Sequence, residues 1–178
     1  MGSELRLFEK LRRWDCHRHS VFFEVEPDVE SEKYNELAEV FRQYWETVYP
    51  EEHNRIITVG TGRLRVHEAT LTHYWATGCD IRVVEYRSKI IGFLIYQIPF
   101  DGVILVKGLY MLPDYLKFGL GQRMIDGVNK PIKKVIFQTR KEHPPSGLFY
   151  HIAERIKKIH ENQEMITWEM DWESTHVK

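Results

Sequence analysis

The residue types and spacings best suited to chemistry fall in one stretch, Val103 to Asp126, which reads VILVKGLYMLPDYLKFGLGQRMID. Gly119 and Gly121 stand where an apolar run hands over to a helical pattern, so backbone N–H groups there can approach an anion with no Cβ in the way. Lys117 and Arg123 add positive charge, and no acidic side chain follows until Asp126, which leaves the positive end of the helix to an outside negative group. That spacing suits phosphate binding, and it would equally suit a tight connection that holds no ligand. Two better-known phosphate loops are excluded by the letters. A P-loop needs Gly-Lys-Ser/Thr, whereas Gly121 is followed by Gln122 and Arg123. A dinucleotide fingerprint needs a third glycine where Met124 stands, and it should open the first βαβ unit.

Two other clusters invite a chemical reading. Cys16, His17 and His19 suggest metal, but zinc sites need four ligands with paired spacings and no second Cys/His cluster of that form follows, so surface histidines are expected and no metal. His67, Glu68, His73, Tyr74 and Trp75 are read as packing plus a wet face. No Ser-His-Asp arrangement stands out.

The phosphate-loop stretch must be held by its neighbours. Val103, Ile104, Val106 and Tyr110 predict a strand buried on both faces and ended by Pro113. A helix from the glycines to about Asn129 and a strand over Lys134 to Thr139 follow, so a parallel, right-handed crossover is expected. Before it come strands over Ile81 to Tyr86 and Ile90 to Ile98, with Asp101-Gly102 as a hairpin turn. A meander thus turns parallel at its centre, and a cleft is expected there by analogy with switch points in open sheets.

Upstream, Leu5, Phe8 and Leu11 predict a short amphipathic helix over Glu4 to Trp14, and Val21 to Val25 a first strand. Leu37, Val40, Phe41, Tyr44, Trp45 and Val48 share one stripe of a helix from Ser31 to about Tyr49, closed by Pro50. Glu51 to Gly62 is open between strand and loop, and Val66 to Ala76 reads as a helix ended by Gly78. Downstream, Pro144-Pro145 starts a helix through Leu148, Phe149, Ile152, Ile156 and Ile159, and Met165 to Trp172 is a final strand. Its Trp168 and Trp172 could pair or pack across a homodimer.

The 178 residues suit one domain over 1–178, long enough for a sizeable core. A formal net charge of -1 with 43% hydrophobic residues carries no strong signal for nucleic acid or a membrane surface. Two cysteines in a chain of this size make a disulfide framework unexpected and point to a reducing, cytoplasmic compartment. No apolar signal core or membrane-length run occurs. Met1-Gly2-Ser3 hints at myristoylation, but Arg6 stands where Ser or Thr is required, and an expression remnant accounts for the three residues equally well.

This order of elements, together with LYMLPDYLKFGLGQRMI, resembles the GNAT superfamily of acetyl-CoA-dependent N-acyltransferases, including compact stand-alone members of bacteriophage type. The likeness is tight from about Ile90 to Tyr150 and topological elsewhere. It implies a mixed, mostly antiparallel α/β (α+β) sheet with a central parallel strand pair and flanking helices. Pro113, Asp114, Tyr115, Gly119 and Gly121 match the family's pyrophosphate-binding pattern, while Leu116 replaces its Arg or Gln. The resemblance implies coenzyme A contacts from Lys117, Phe118, Gly119, Leu120, Gly121 and Gln122. A bulge at Gly108 would expose the amides of Leu109 and Met111 to the thioester and pantetheine arm. Tyr150, in Gly147-Leu148-Phe149-Tyr150, matches the tyrosine that protonates the departing thiolate.

The implied cosubstrate is acetyl-CoA, without a metal, and the implied partner is an amine on a small molecule or protein. Many members carry a carboxylate base on the central strand, where this chain has Lys107. Glu24, Glu26, His67, Glu68 and Asp101 are the unranked alternatives. The substitutions at Leu116 and Lys107 keep alive a catalytically silent acyl-CoA-binding or interaction module, and a nucleic-acid-modifying member is the third reading.

Overall fold

The computed structural model describes residues 2–52, 55–59, 62–141 and 156–172. In chain order the elements are α1 (Gly2–His19), β1 (Val21–Glu24), α2 (Glu32–Val48), β2 (Ile56–Val59), β3 (Gly62–Arg65) and α3 (Val66–Ala76). Then come β4 (Asp80–Tyr86), β5 (Lys89–Phe100), β6 (Val103–Met111), a 3-10 turn (Pro113–Tyr115), α4 (Leu120–Asp126), β7 (Lys134–Arg140), β8 (Ile156–Glu161) and β9 (Met165–Asp171).

Local signals explain most boundaries. Ser31 caps α2 by accepting the Tyr34 N–H at 3.0 Å, which satisfies a donor the helix cannot pair itself. The buried stripe Tyr34, Leu37, Val40, Phe41 and Trp45 then fixes which side of α2 faces inward. α3 stops before Gly78, whose φ of +77° suits a residue without Cβ. Gly102, at φ +79°, closes the β5–β6 hairpin.

Seven strands form one sheet in the order β1-β4-β5-β6-β7-β9-β8, with β2 and β3 as a separate hairpin. Every neighbouring pair is antiparallel except β6 and β7. The expected mixed sheet with one central parallel pair is therefore present. α2 and α3 cover one face through Leu37, Phe41 and Leu71 against Ile81, Val83, Phe93 and Ile95. On the other face Cys16 of α1 and Leu120, Met124 and Ile125 of α4 pack on Val84, Leu94, Tyr96, Ile104 and Val106. Each large apolar side chain buried this way contributes roughly 1.5–3 kcal/mol.

The structure corrects several expectations. α1 runs past Trp14 to His19 because Cys16 is fully buried and Ser20 closes the helix, its N–H and hydroxyl both donating to the Cys16 carbonyl. α4 ends at Asp126 rather than Asn129, since Gly127 caps it and Val128 and Ile132 turn into the core. β6 is not buried on both faces: Ile104 and Val106 are buried, Val103 and Leu105 are half-buried and Lys107 is exposed. Ile156 and Ile159 belong to a strand, not a helix, and the rest of that predicted helix lies outside the described residues. β9 pairs on both sides, with β7 and β8, so it offers no free edge to a second copy. Trp168 of β9 and Trp172 just after it are held by side-chain bonds: the Trp168 indole donates to Thr139 and the Trp172 indole to Asp126, each at 2.8 Å.

Candidate functional site

β6 and β7 pair over only four rungs, from Val103↔Lys134 to Val106↔Phe137. Beyond that rung β6 continues to Met111 alongside β5, and β7 continues to Arg140 alongside β9. The two parallel strands therefore part, and a wedge opens between Lys107–Met111 and Gln138–Arg140. Its cause lies in β6. Gly108 pairs with Ile95 while Val106 pairs with Tyr96, so Lys107 is the extra residue of a bulge. The bulge sits one residue before the expected Gly108, and it turns the strand away from β7.

The direction of the β6 amides follows from one bond. The Leu112 N–H donates to the Ile91 carbonyl at 2.8 Å, on the β5 side. Amides alternate along a strand, so the N–H groups of Met111 and Leu109 point away from β5, into the wedge. Gly92 lets the two strands approach here: a Cβ on it would sit 2.6 Å from the Met111 sulfur and 2.7 Å from the Tyr110 carbonyl oxygen.

The glycine loop follows directly. Pro113–Tyr115 forms the 3-10 turn, Lys117 takes φ +65°, and Gly119 is the N-cap of α4 at φ +75°. No side chain caps Gly119, and a Cβ built there meets nothing within 4 Å. Lys117 and Leu116 are exposed, Gly121 and Gln122 half-buried, and Phe118 leans edge-on against Tyr115. Leu120 is buried in the core and pins the loop. Arg123, however, is engaged elsewhere. It donates to the His17 carbonyl and lies 4.7 Å over the Phe22 ring, and burial lowers its pKa. Its charge braces α1 against α4 and does not add to the loop.

An aromatic wall on the α2 face was not anticipated from sequence. Tyr110 packs on Tyr44 with centroids 5.6 Å apart and on Phe93 at 5.9 Å. Burial raises the Tyr110 pKa, partly offset by a hydrogen bond with Thr47. Across the wedge, the Arg140 guanidinium lies 4.9 Å over the Tyr49 ring, which itself stacks on Trp45 at 4.3 Å. The last turn of α2 thus spans the gap from β6 to β7. The available signal was the aromatic run Tyr44, Trp45 and Tyr49 just before Pro50.

Of the proposed carboxylate and imidazole bases, Glu24 and Asp101 lie away from the wedge. Glu24 accepts from Arg82 at 2.8 Å and from the Tyr96 hydroxyl at 3.2 Å, on a strand three places away from β6. Glu26 is exposed in the loop after β1. Glu68 accepts the Arg65 N–H at 3.0 Å as a helix cap. His67 is 3% exposed on α3, its Nδ1 has no hydrogen-bond partner among the described residues, and burial lowers its pKa. Asp101 sits in the hairpin turn at the far end of β6. The diverging segments themselves contain no acidic residue. Tyr150 lies outside the described residues.

Cys16 is buried while His17 and His19 are exposed, so those three side chains do not converge. Among the described residues no group of three or more His, Cys, Asp or Glu could hold a metal ion. Cys16 and Cys79 are both free thiols, buried in the cores on opposite faces of the sheet. No described helix is long and apolar enough to cross a membrane.

No protein-family model matches the sequence, and no curated protein matches it either. Solved structures do match in fold. The PaiA N-acetyltransferase of Thermoplasma acidophilum, in complex with coenzyme A, aligns with a TM-score of 0.58 at 14% identity, covering 86% of this chain and 99% of its own. A GNAT family acetyltransferase from Elizabethkingia anophelis with acetyl-CoA bound gives 0.52 at 13%, with 86% and 99% covered. The ribosomal-protein-S18-alanine N-acetyltransferase of Escherichia coli gives 0.54 at 11%, with 89% and 99% covered. This chain has the GNAT fold.

Proposed function

We propose that this single-domain protein binds acetyl-CoA along the wedge and moves the acetyl group directly to an amine. The observation that carries the reading is the parting of β6 from β7 after Val106 and Phe137, beyond which the Leu109 and Met111 amides face away from β5 and have no β7 ladder partner. The uncapped left-handed Gly119 lies on the same chain segment. In this reading the backbone of Lys117 to Gln122 holds the diphosphate, with Lys117 adding charge. The Leu109 and Met111 amides hold the pantetheine arm and polarise the thioester carbonyl. Two structures of the same fold hold coenzyme A or acetyl-CoA, which supports this cosubstrate.

The transfer needs no nucleophile on the protein. The amine nitrogen attacks the thioester carbon, an amide C–N bond forms, the C–S bond breaks, and the sulfur takes a proton. A thiol of pKa about 8.5 leaves more readily when a hydroxyl neutralises it, the role assigned to Tyr150 by its match to the family pattern. The attacking amine, with pKa about 10.4 if lysine-like, must first lose a proton. With no acid on the diverging strands, water at the wedge carries that proton to solvent. Tyr44, Tyr49, Tyr110 and Arg140 wall the acceptor side. The buried free cysteines fit a reducing, cytoplasmic setting.

A second reading rests on two observations. Leu116, 49% exposed, replaces the loop's expected Arg or Gln, and Lys107 occupies the bulge in place of a carboxylate. Both suit a protein that binds acyl-CoA without turnover. Calorimetric titration with acetyl-CoA, followed by thiol release over an amine panel, separates the cases. Binding with release supports the enzyme, binding without release supports the silent module, and no binding at millimolar acetyl-CoA overturns both.

A further inference from the structure

The outer side of α1 is an exposed apolar ridge. Leu7, Phe8, Leu11 and Trp14 are 59%, 66%, 56% and 57% exposed. Leu7, Leu11, Trp14 and Arg18 follow one another at steps of four, three and four residues, so they form one stripe of the helix. Arg6, Lys10, Arg13 and His17 repeat those steps one residue earlier and form the adjoining stripe, also exposed. The two acidic residues of this span, Glu9 and Asp15, fall in neither stripe. The other side of α1 is fastened to the body. Arg12 lies 5.3 Å over the Tyr115 ring, Asp15 accepts from the Tyr86 hydroxyl and from Arg87, and Cys16 is fully buried. The ridge is therefore held outward, and burying it inside the domain would break these contacts.

We infer that this ridge docks the protein on an anionic lipid surface. The cationic stripe calls for negative charge beside the apolar stripe. A bilayer carrying anionic headgroups presents charge and hydrocarbon in that arrangement and yields to a convex helix. Nucleic acid would satisfy the cations but gives Leu7 and Leu11 nothing to pack against. An antiparallel second copy would set the basic stripe against itself. Arg18, 5.1 Å over the Trp14 ring, places a cation at the end of the apolar stripe, where a Trp body sits at the headgroup level.

The test is co-sedimentation of the full chain with vesicles of phosphatidylcholine alone and of phosphatidylcholine mixed with phosphatidylglycerol. Binding to the mixed vesicles should be at least about tenfold tighter and should weaken as salt rises. Leu11→Ser, at an exposed position, should cut that binding about tenfold with the melting temperature unchanged. Lys10→Ser with Arg13→Ser should remove the preference for phosphatidylglycerol. Absence of binding to the mixed vesicles at low salt overturns the inference, as does full binding by Leu11→Ser. A dimer in sedimentation equilibrium that Leu11→Ser disrupts would assign the ridge to a second copy instead. Acetyl-CoA titration of the same variants keeps this outcome separate from that of the proposed activity.

Discussion

Gly119→Ala separates folding from cofactor binding more cleanly than any other single change. The position has φ +75°, and an added Cβ meets nothing within 4 Å. No packing is lost or strained, so the whole cost to folding is that of holding an L-residue in the left-handed region, about 1–2 kcal/mol. For a chain of this size that lowers the melting temperature by roughly 2–8 °C. The cost to binding has a different origin. The methyl group occupies the open mouth of α4, where the proposed diphosphate would approach the backbone, and losing one charge-assisted hydrogen bond of about 1.5–3 kcal/mol weakens acetyl-CoA at least about tenfold. Gly119→Asn should recover most of the stability, because Asn tolerates the left-handed region, and should still bind poorly. Thermal melting and calorimetric titration on the three proteins read both quantities. Wild-type affinity in Gly119→Ala, or affinity that recovers along with stability in Gly119→Asn, would refute the reasoning.

Other changes give equally distinct outcomes. Tyr150→Phe should slow thiol release by about 10²-fold or more and leave acetyl-CoA affinity nearly intact, so steady-state kinetics beside calorimetry decide its role. Gly92→Ala should destabilise by about 1–3 kcal/mol, since its Cβ would meet the Tyr110 carbonyl oxygen at 2.7 Å; unchanged melting would contradict that close approach. His67 is buried with its pKa lowered by desolvation. Its contribution to stability is complete above the unfolded value of about 6.5 and is lost as pH falls toward the folded value. Denaturant melts between pH 8 and 5 should show that loss, and His67→Gln should flatten it.

Much of this arrangement was legible in sequence wherever a local signal decided the backbone. Ser31 with its apolar stripe, Gly78 behind α3 and Asp101-Gly102 between β5 and β6 each mark a boundary by their own chemistry. The Gly-x-Gly after Pro113 likewise located the loop. Features set by distant partners were not legible. Ile156 and Ile159 stand three residues apart, a spacing two apolar residues can show in a helix or along a bulged strand, and only pairing with β9 makes it a strand. Arg123 looked like a ligand for an anion, yet its guanidinium goes to the His17 carbonyl, over a hundred residues earlier. The Tyr44, Tyr49, Tyr110 and Arg140 wall comes from three elements far apart in the chain. The bulge at Lys107 depends on the register with β5, which Gly108 marks to within one residue.

The central claim is one of place: acetyl-CoA lies where β6 and β7 part. Backbone amide shifts measured by NMR during an acetyl-CoA titration test it directly. The account predicts that Leu109, Met111 and the Lys117 to Gln122 amides shift together and saturate at one affinity, while Gly102 and Val103 at the closed end of β6 stay fixed. Saturable binding that moves the closed end, or another part of the sheet, and leaves Leu109 and Met111 unmoved would contradict it.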